Sequence, residues 1–118
     1  MAAKDDLGRR GENLAADHLT ASGYRVLERN WRCTHGEIDI VAVKDNEIVF
    51  VEVKTRSSVA YGHPLEAITV AKLARLRRLA GAWCQAHPDV RAAVRIDAIA
   101  IIAPTRGLVE IEHLERVF

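Results

Sequence analysis

Residues 37–55 read EIDIVAVKDNEIVFVEVKT, which places two strand-like segments on either side of Asp45-Asn46. Both segments are rich in Ile and Val, residues that favour β-strands. Asp and Asn tolerate the left-handed backbone that a tight hairpin turn requires. The sequence therefore predicts an antiparallel hairpin, with strands over Glu37–Lys44 and Glu47–Thr55 and a two-residue loop.

The two-residue loop also predicts which side chains face each other. Counting back from the loop along both strands places Asp39 opposite Glu52. The same count places Glu37 opposite Lys54, where it would orient that lysine. Side chains alternate between the two faces of a sheet, and directly paired residues share a face. We therefore expect Asp39, Glu52 and Lys54 on one face of the sheet.

Two facing carboxylates repel each other unless a cation or a proton lies between them. Mg²⁺ prefers one or two carboxylates together with waters and phosphate oxygens, and such an ion activates water and neutralises phosphate charge. Lys54 is then expected to orient the attacking water or to stabilise charge in the transition state. The alternative interpretation is a salt-bridged strand face, in which Lys54 only neutralises the nearby acids.

The rest of the chain predicts two helices and three more strands. Their expected bounds are Lys4–Ser22 and Leu65–Ala86 for the helices, and Tyr24–Leu27, Ala92–Ile102 and Leu108–Leu114 for the strands. Gly23 is expected to end the first helix, because glycine commonly follows a helix in the left-handed conformation. The element order α-β-β-β-α-β-β predicts an α/β protein, with a mixed five-stranded sheet and helices packed on it.

Composition limits the class of protein. The chain has 118 residues, 49% of them hydrophobic and 28% charged, which predicts a single globular domain over residues 1–118. No apolar run approaches the length of a membrane span, and the charged N-terminal stretch lacks the apolar core of a secretory signal. We therefore expect a cytoplasmic protein with no membrane partner. The two cysteines form no CxxC pair, which argues against a structural zinc site.

The net charge of +1 hides an uneven distribution of charge. Basic residues dominate between positions 72 and 95, as a phosphate-binding surface would require. The alternative is a solvated helix face. The residues that we expect to contact nucleic acid are Arg32, Arg56, Lys72, Arg75 and Arg78.

Four other residues each allow two interpretations. Trp31 could stack on a base beside the neighbouring arginines, but a strand with one large side chain in the core is favoured. His63 could act in acid–base chemistry, although a surface histidine is the simpler interpretation. Arg95 and Asp97 alternate on one strand, where they either form a buried ion pair or shape the site.

The short motif resembles that of a known superfamily. Ile38-Asp39, followed after a hairpin by Glu52-Val53-Lys54, resembles the PD-(D/E)XK restriction-endonuclease-like superfamily. Gly11-Glu12 in the first helix is similar to the helix glutamate of archaeal Holliday-junction resolvases. A closer resemblance, over nearly the whole chain, is to the bacterial YraN-like family. It is carried by Gly8 to Ala15, Gly23-Tyr24, Arg29 to Arg32, Gly36 to Asp39, Val49 to Arg56 and Arg95 to Asp97.

The resemblance implies a restriction-endonuclease-like α/β/α core that holds Mg²⁺ or Mn²⁺ at Asp39 and Glu52. The main-chain carbonyl of Val53 would be a further ligand, and Glu12 would act through the metal or its waters. Ile38 stands where the superfamily's name has proline. Resolvase-like nucleases are commonly dimers, so the resemblance also implies a homodimer.

Three functions remain open at this point. The first is an endonuclease that acts on DNA, more readily than on RNA, with branched, nicked or single-stranded DNA as candidate substrates. The second is a nucleic-acid-binding module with a nuclease fold and no catalysis. The third is a partner protein in which the acids are only structural. The set of two acids and a lysine favours the first, because a binding module has no need for facing carboxylates.

Overall fold

A five-stranded mixed sheet forms the centre of the computed structural model, which describes residues 3–118 and their side chains from Asp5 onward. The elements are α1 (Ala3–Ala21), β1 (Arg25–Cys33), β2 (Gly36–Lys44), β3 (Glu47–Arg56), a short 3-10 helix (Pro64–Ala67), α2 (Val70–Ala86), β4 (Ala93–Ile102) and β5 (Glu110–Leu114). The strands lie in the order β1 to β5. The β3–β4 pair is parallel and the other pairs are antiparallel. The predicted element order and the mixed five-stranded sheet are confirmed.

The two helices cover opposite faces of the sheet. Along β3, Val49 and Val51 belong to the core under α1, whereas Ile48 and Phe50 belong to the core under α2. This alternation follows from the period of two in a strand. Because both faces are covered, β3 is apolar on both sides, and a charge placed among its residues needs a specific reason.

The predicted hairpin is confirmed. Asp45 adopts a positive φ of 56°, and Lys44 pairs with Glu47. The register is therefore the one that the two-residue loop predicted.

Two elements differ from their predicted bounds by more than two residues. β1 extends to Cys33 rather than ending at Leu27, because an edge strand lacks the apolar run that marks a buried one. α2 begins at Val70 rather than Leu65, since the Thr69 hydroxyl accepts a hydrogen bond from the main-chain N–H of Lys72 and caps the helix there. Among the described residues, neither helix is both long enough and apolar enough to cross a membrane.

Candidate active-site cleft

A cleft of about 830 Å³ lies beside the end of β3. Its lining combines acids, cations and polar groups from α1, β1, β2, β3 and the loop after β3. Among the lining residues are Arg9, Glu12, Asn30, Arg32, Glu37, Val53, Lys54, Arg56 and Tyr61. The structure thus brings the first helix and the end of the hairpin to one place. Of the predicted catalytic residues, Glu12 and Lys54 line the cleft, whereas Asp39 and Glu52 are not among its lining residues.

Asp39 lies where β2 separates from β3. The ladder between these strands ends at the Ile40–Val51 pair, so the prediction that Asp39 and Glu52 are ladder partners is wrong. The cause is an interruption of strand alternation: Ile38 packs in the core under α2, whereas Ile40 packs in the core under α1. Beyond the ladder, the Asp39 carboxylate accepts a hydrogen bond of 2.8 Å from the main-chain N–H of Val53.

Asp39 and Glu52 nevertheless interact electrostatically. Burial in the first place, and then the charge of the Glu52 carboxylate, raise the pKa of Asp39 from 3.8 to about 8, while the Val53 N–H opposes the change. Near neutral pH, the pair therefore favours either a bound proton or a nearby cation. A binding site for a hard cation is the chemistry that such a pair supports.

Glu12 belongs to the same electrostatic neighbourhood. Burial raises the pKa of Glu12, the charges of Asp39 and Glu37 raise it too, and a hydrogen bond from the Asn30 side chain acts in the opposite direction. The structure therefore places Glu12 close to the hairpin acids, as predicted. Its role in chemistry stays a prediction.

Gly11 allows α1 to reach this position. A Cβ atom at Gly11 would lie only 1.7 Å from the Thr55 hydroxyl oxygen, a distance that no side chain tolerates. The helix backbone therefore rests directly on β3, and the next residue, Glu12, is held at the cleft. A glycine at this position is required by the close approach of helix and strand.

The cations of the cleft are not equivalent. The Nε of Arg56 is buried and has no hydrogen-bond partner within the part of the chain that the structure describes, so it is a donor suited to an incoming anion. The Nε of Arg32 donates to the Glu37 carboxylate at 2.5 Å. Glu37 lies opposite Arg32 in the β1–β2 ladder. Because the β2–β3 ladder ends at the Ile40–Val51 pair, the predicted ladder pairing of Glu37 with Lys54 is wrong.

The other predicted nucleic-acid contacts lie on α2. Arg75 and Arg78 are exposed and line a separate groove together with His35, while Lys72 is exposed in the first turn of the same helix. Arg95 was counted in the same basic region, but it is only 5% exposed and is held by acids. The basic residues thus form two surfaces rather than one.

Arg95 and Asp97 form the buried ion pair that the sequence allowed. The guanidinium donates twice to the Asp97 carboxylate, each time at 2.9 Å, and also donates to the Tyr24 hydroxyl. His113 donates to the same carboxylate at 2.7 Å. This cluster lies in the first half of β4, and neither Arg95 nor Asp97 lines the cleft.

Two further interpretations are settled by contacts. Trp31 packs half-buried against the core under α2, as favoured for that side chain. The ring of His63 accepts a hydrogen bond from the main-chain N–H of Leu65 and caps the short 3-10 helix. His63 therefore has a structural task.

Sequence reasoning missed three residues of the cleft: Arg9, Asn30 and Tyr61. Asn30 has a positive φ of 54°, a conformation that asparagine adopts more readily than most residues, and this turns the strand beside Glu12. The signal available in the sequence was an asparagine beside Trp31, in a segment for which a strand was favoured. Arg9 and Tyr61 gave no local signal, because tertiary packing alone brings them to the cleft.

The oxygen donors fit a hard divalent ion. No group of three or more His, Cys, Asp or Glu side chains arranged to hold a metal occurs among the described residues. Two carboxylates and the carbonyl of Val53 remain as candidate ligands. This is the donor set expected for Mg²⁺ or Mn²⁺, which retains waters and takes further oxygens from a phosphate.

We expect Asp39→Asn to stabilise the protein in chelator, and more so at pH 8 than at pH 5. In the wild type, the unfolded carboxyl ionises near pH 3.8 and the folded one near pH 8. The stability that this group contributes is therefore fully present below about pH 3.8 and is lost as the pH rises to 8. Asparagine stays neutral and still offers an oxygen to the Val53 N–H. The gain at pH 8 should be on the order of a few kcal/mol.

Urea unfolding of both proteins at the two pH values measures this difference. Asp17→Asn, a change at an exposed position of α1, is the matched control and should show little pH dependence. Added Mn²⁺ should stabilise the wild type and so reduce the difference in unfolding free energy between it and Asp39→Asn. An Asp39→Asn protein that is less stable than the wild type at pH 8 in chelator would show that Asp39 serves the fold.

The fold and the cleft define a class of protein: an α/β protein with an acidic, cation-flanked cleft where two strands of a mixed sheet separate. Residues 11–101 match the profile described as "Uncharacterised protein family UPF0102", and the chain belongs to this family. It is 56% identical to the UPF0102 protein of Clavibacter michiganensis, with 95% of each chain covered. It is 55% identical to that of Arthrobacter sp. FB24, with 99% of each chain covered, and 48% identical to that of Frankia casuarinae over the full length of both.

Proposed function

We propose that this protein is a metal-dependent endonuclease that hydrolyses phosphodiester bonds in DNA, with branched or single-stranded DNA as its substrate. One observation carries the proposal: Asp39, with its pKa raised to about 8, interacts with Glu52 and accepts a hydrogen bond from Val53, a residue that lines a cleft flanked by cations. A carboxyl pair held in a partly buried position is costly without a ligand. Such groups are concentrated at functional sites.

The residues of the cleft have distinct tasks in this proposal. Asp39, Glu52 and the Val53 carbonyl would hold Mg²⁺ or Mn²⁺, which supplies an activated water and neutralises charge on the phosphate. Lys54 orients the water and stabilises negative charge as it develops. Arg56 offers its buried Nε to a phosphate oxygen. Glu12 accepts hydrogen bonds from waters at the edge of the acidic pair.

The surroundings of the acids favour catalysis over binding alone. A surface that only binds nucleic acid gains affinity from cations, and the acids Glu12, Asp39 and Glu52 oppose that affinity. The placement of these acids among the cations favours phosphate binding only if a divalent ion lies between the acids and the phosphate. The second groove, with Arg75 and Arg78, is a separate cationic surface that suits a neighbouring part of the same nucleic acid.

A cleavage screen tests the proposal. Labelled branched, nicked, single-stranded and duplex DNA, with single-stranded RNA beside them, are incubated with the protein in Mg²⁺, in Mn²⁺ and in chelator. We expect cleavage of branched or single-stranded DNA that requires the metal. Absence of cleavage with every substrate and both ions would contradict the proposal and leave the nucleic-acid-binding module and the partner protein as the alternatives.

We expect reversal of charge at Arg75 and Arg78 to weaken DNA binding and to reduce its dependence on salt. Removing one cation that touches a phosphate lowers the slope of log affinity against log salt by about one, so the slope of the double Glu variant should fall by about two. Titrations at several salt concentrations measure the slope. Arg91→Glu, a charge reversal in the exposed loop before β4, is the control. A slope that stays unchanged in the double variant would mean that this helix face is only solvated.

A further inference from the structure

Tyr61 presents its ring to solvent at the edge of the cleft. The residue is 91% exposed, the largest exposed fraction among the large hydrophobic and aromatic residues that the structure describes. It lines the same cleft as Glu12, Val53 and Lys54. An aromatic side chain that is left in water loses the free energy that burial would provide, and this exposed ring is accessible to a ligand in the cleft.

The loop that carries Tyr61 is held in one conformation. The N–H of Gly62 donates to the Val59 carbonyl at 3.0 Å and closes a tight turn around Tyr61. Gly62 adopts a φ of +106°, which favours glycine. The N–H of His63 then donates to the Glu66 carboxylate at 2.7 Å. The backbone is thus held on both sides of Gly62, so that ordering of this loop adds little entropic cost when a ligand binds.

The chemistry of the cleft indicates what the ring meets. Lys54 and Arg56 suit a phosphate, and the position next to a bound phosphate is that of a nucleoside. A tyrosine ring can stack on any base, since every base has a π-face. In an intact duplex, the neighbouring base pairs cover those faces. The face becomes available only in a single strand, at a branch, or where a base is unstacked.

We propose that Tyr61 stacks on an unpaired base adjacent to the phosphate in the cleft, and so selects nucleic acid with unpaired bases over intact duplex. The proposal rests on the proposed function to the extent that a phosphodiester strand occupies the cleft. It names the substrate class and the residue that selects it. Stacking itself does not require cleavage.

The test compares Tyr61→Ala, Tyr61→Phe and Tyr61→Trp, with Ca²⁺ in place of the catalytic ion. The probes are a single-stranded oligothymidylate of 20 nucleotides and a closed circular DNA duplex without breaks. One base–aromatic stacking interaction is worth about 1–3 kcal/mol, so Tyr61→Ala should bind the single strand roughly tenfold more weakly and the duplex equally well. Tyr61→Phe should bind both probes as the wild type does. The wild type already contains Trp31 and Trp83, so the fluorescence of Tyr61→Trp is compared with that of the wild type. The additional fluorescence should be quenched by the single strand alone.

Val90→Trp is the matched control, because it places an indole in the partly exposed loop before β4, at the other end of the sheet. It should show no quenching with either probe. The proposal is overturned if Tyr61→Ala binds the single strand as tightly as the wild type, if it loses affinity equally for both probes, or if the wild type binds neither.

Cleavage assays on the same variants separate the two proposals. Metal-dependent cleavage together with an unchanged affinity of Tyr61→Ala would remove the stacking role and leave the nuclease. Selective quenching of Tyr61→Trp without cleavage by the wild type would leave the stacking role and remove the nuclease.

Discussion

We expect Asp39→Asn and Lys54→Ala to lose DNA cleavage while both variants remain folded, and to respond differently to excess Mn²⁺. Asp39→Asn removes a charged metal ligand, so a high concentration of Mn²⁺ should restore part of the activity. Lys54→Ala leaves the ligands in place and removes the positive charge directed at the attacking water and the developing oxyanion. Loss of such a group costs on the order of a hundredfold or more in rate, and excess metal should not restore it.

Single-turnover cleavage at increasing Mn²⁺ measures both responses. Lys44→Ala, a lysine at the hairpin turn and far from the cleft, is the control and should cleave normally. Equal rescue of both variants by Mn²⁺ would contradict the separate tasks given to Asp39 and Lys54. Cleavage that survives in both variants would place the chemistry elsewhere.

We expect Asp97→Ala to cause the largest loss of stability of any change considered. Asp97 is fully buried. Burial alone would raise its pKa, but hydrogen bonds from His113, Arg95 and the main-chain N–H of Arg116 hold the pKa below its ordinary value. Removing the carboxylate leaves the buried Arg95 guanidinium with only the longer contacts to Glu47 at 3.4 Å and Glu115 at 3.7 Å. Breaking one side of a buried pair typically costs about 3–5 kcal/mol.

Thermal and urea unfolding measure this loss, which for a chain of this size corresponds to roughly 10–20 °C in Tm. Asp6→Asn is the control, since it breaks the Arg9–Asp6 pair, in which both side chains are more than half exposed, and should change stability by less than about 1 kcal/mol. A double replacement of Arg95 and Asp97 by leucine should be less harmful than the sum of the single changes. A loss near that of the control would mean that the buried pair contributes little to the fold.

The features predictable from the sequence were those fixed by local chemistry. The Asp45-Asn46 turn determined the hairpin register, and the apolar strands determined the element order. The sequence could not show that alternation is interrupted between Ile38 and Ile40, because that break depends on how the strand meets two separate cores. It therefore placed Asp39 near Glu52 for a partly mistaken reason, as ladder partners rather than as neighbours beyond the end of the ladder.

Side chains at the cleft were harder to predict than the acids. Tyr61 lies in a loop with no periodic pattern, and only tertiary packing brings it to the cleft that Lys54 also lines. For Arg95, the sequence allowed both a place in a basic surface and a buried ion pair with Asp97. The ion pair forms because β4 lies between β3 and β5 in the sheet.

The distance between the two ends of the parallel strands β3 and β4 affects how this family can evolve. Glu47, near the Arg95 cluster, and Lys54, at the cleft, are seven residues apart on β3, or about 23 Å. This separation exceeds the distance over which surface charges interact at physiological salt, so substitutions at the two ends should act additively. A lineage can therefore lose or exchange its cleft cations and still keep a stable scaffold. Relatives that have drifted to other tasks should retain the Glu47–Arg95 contact long after Lys54 and Arg56 have been replaced.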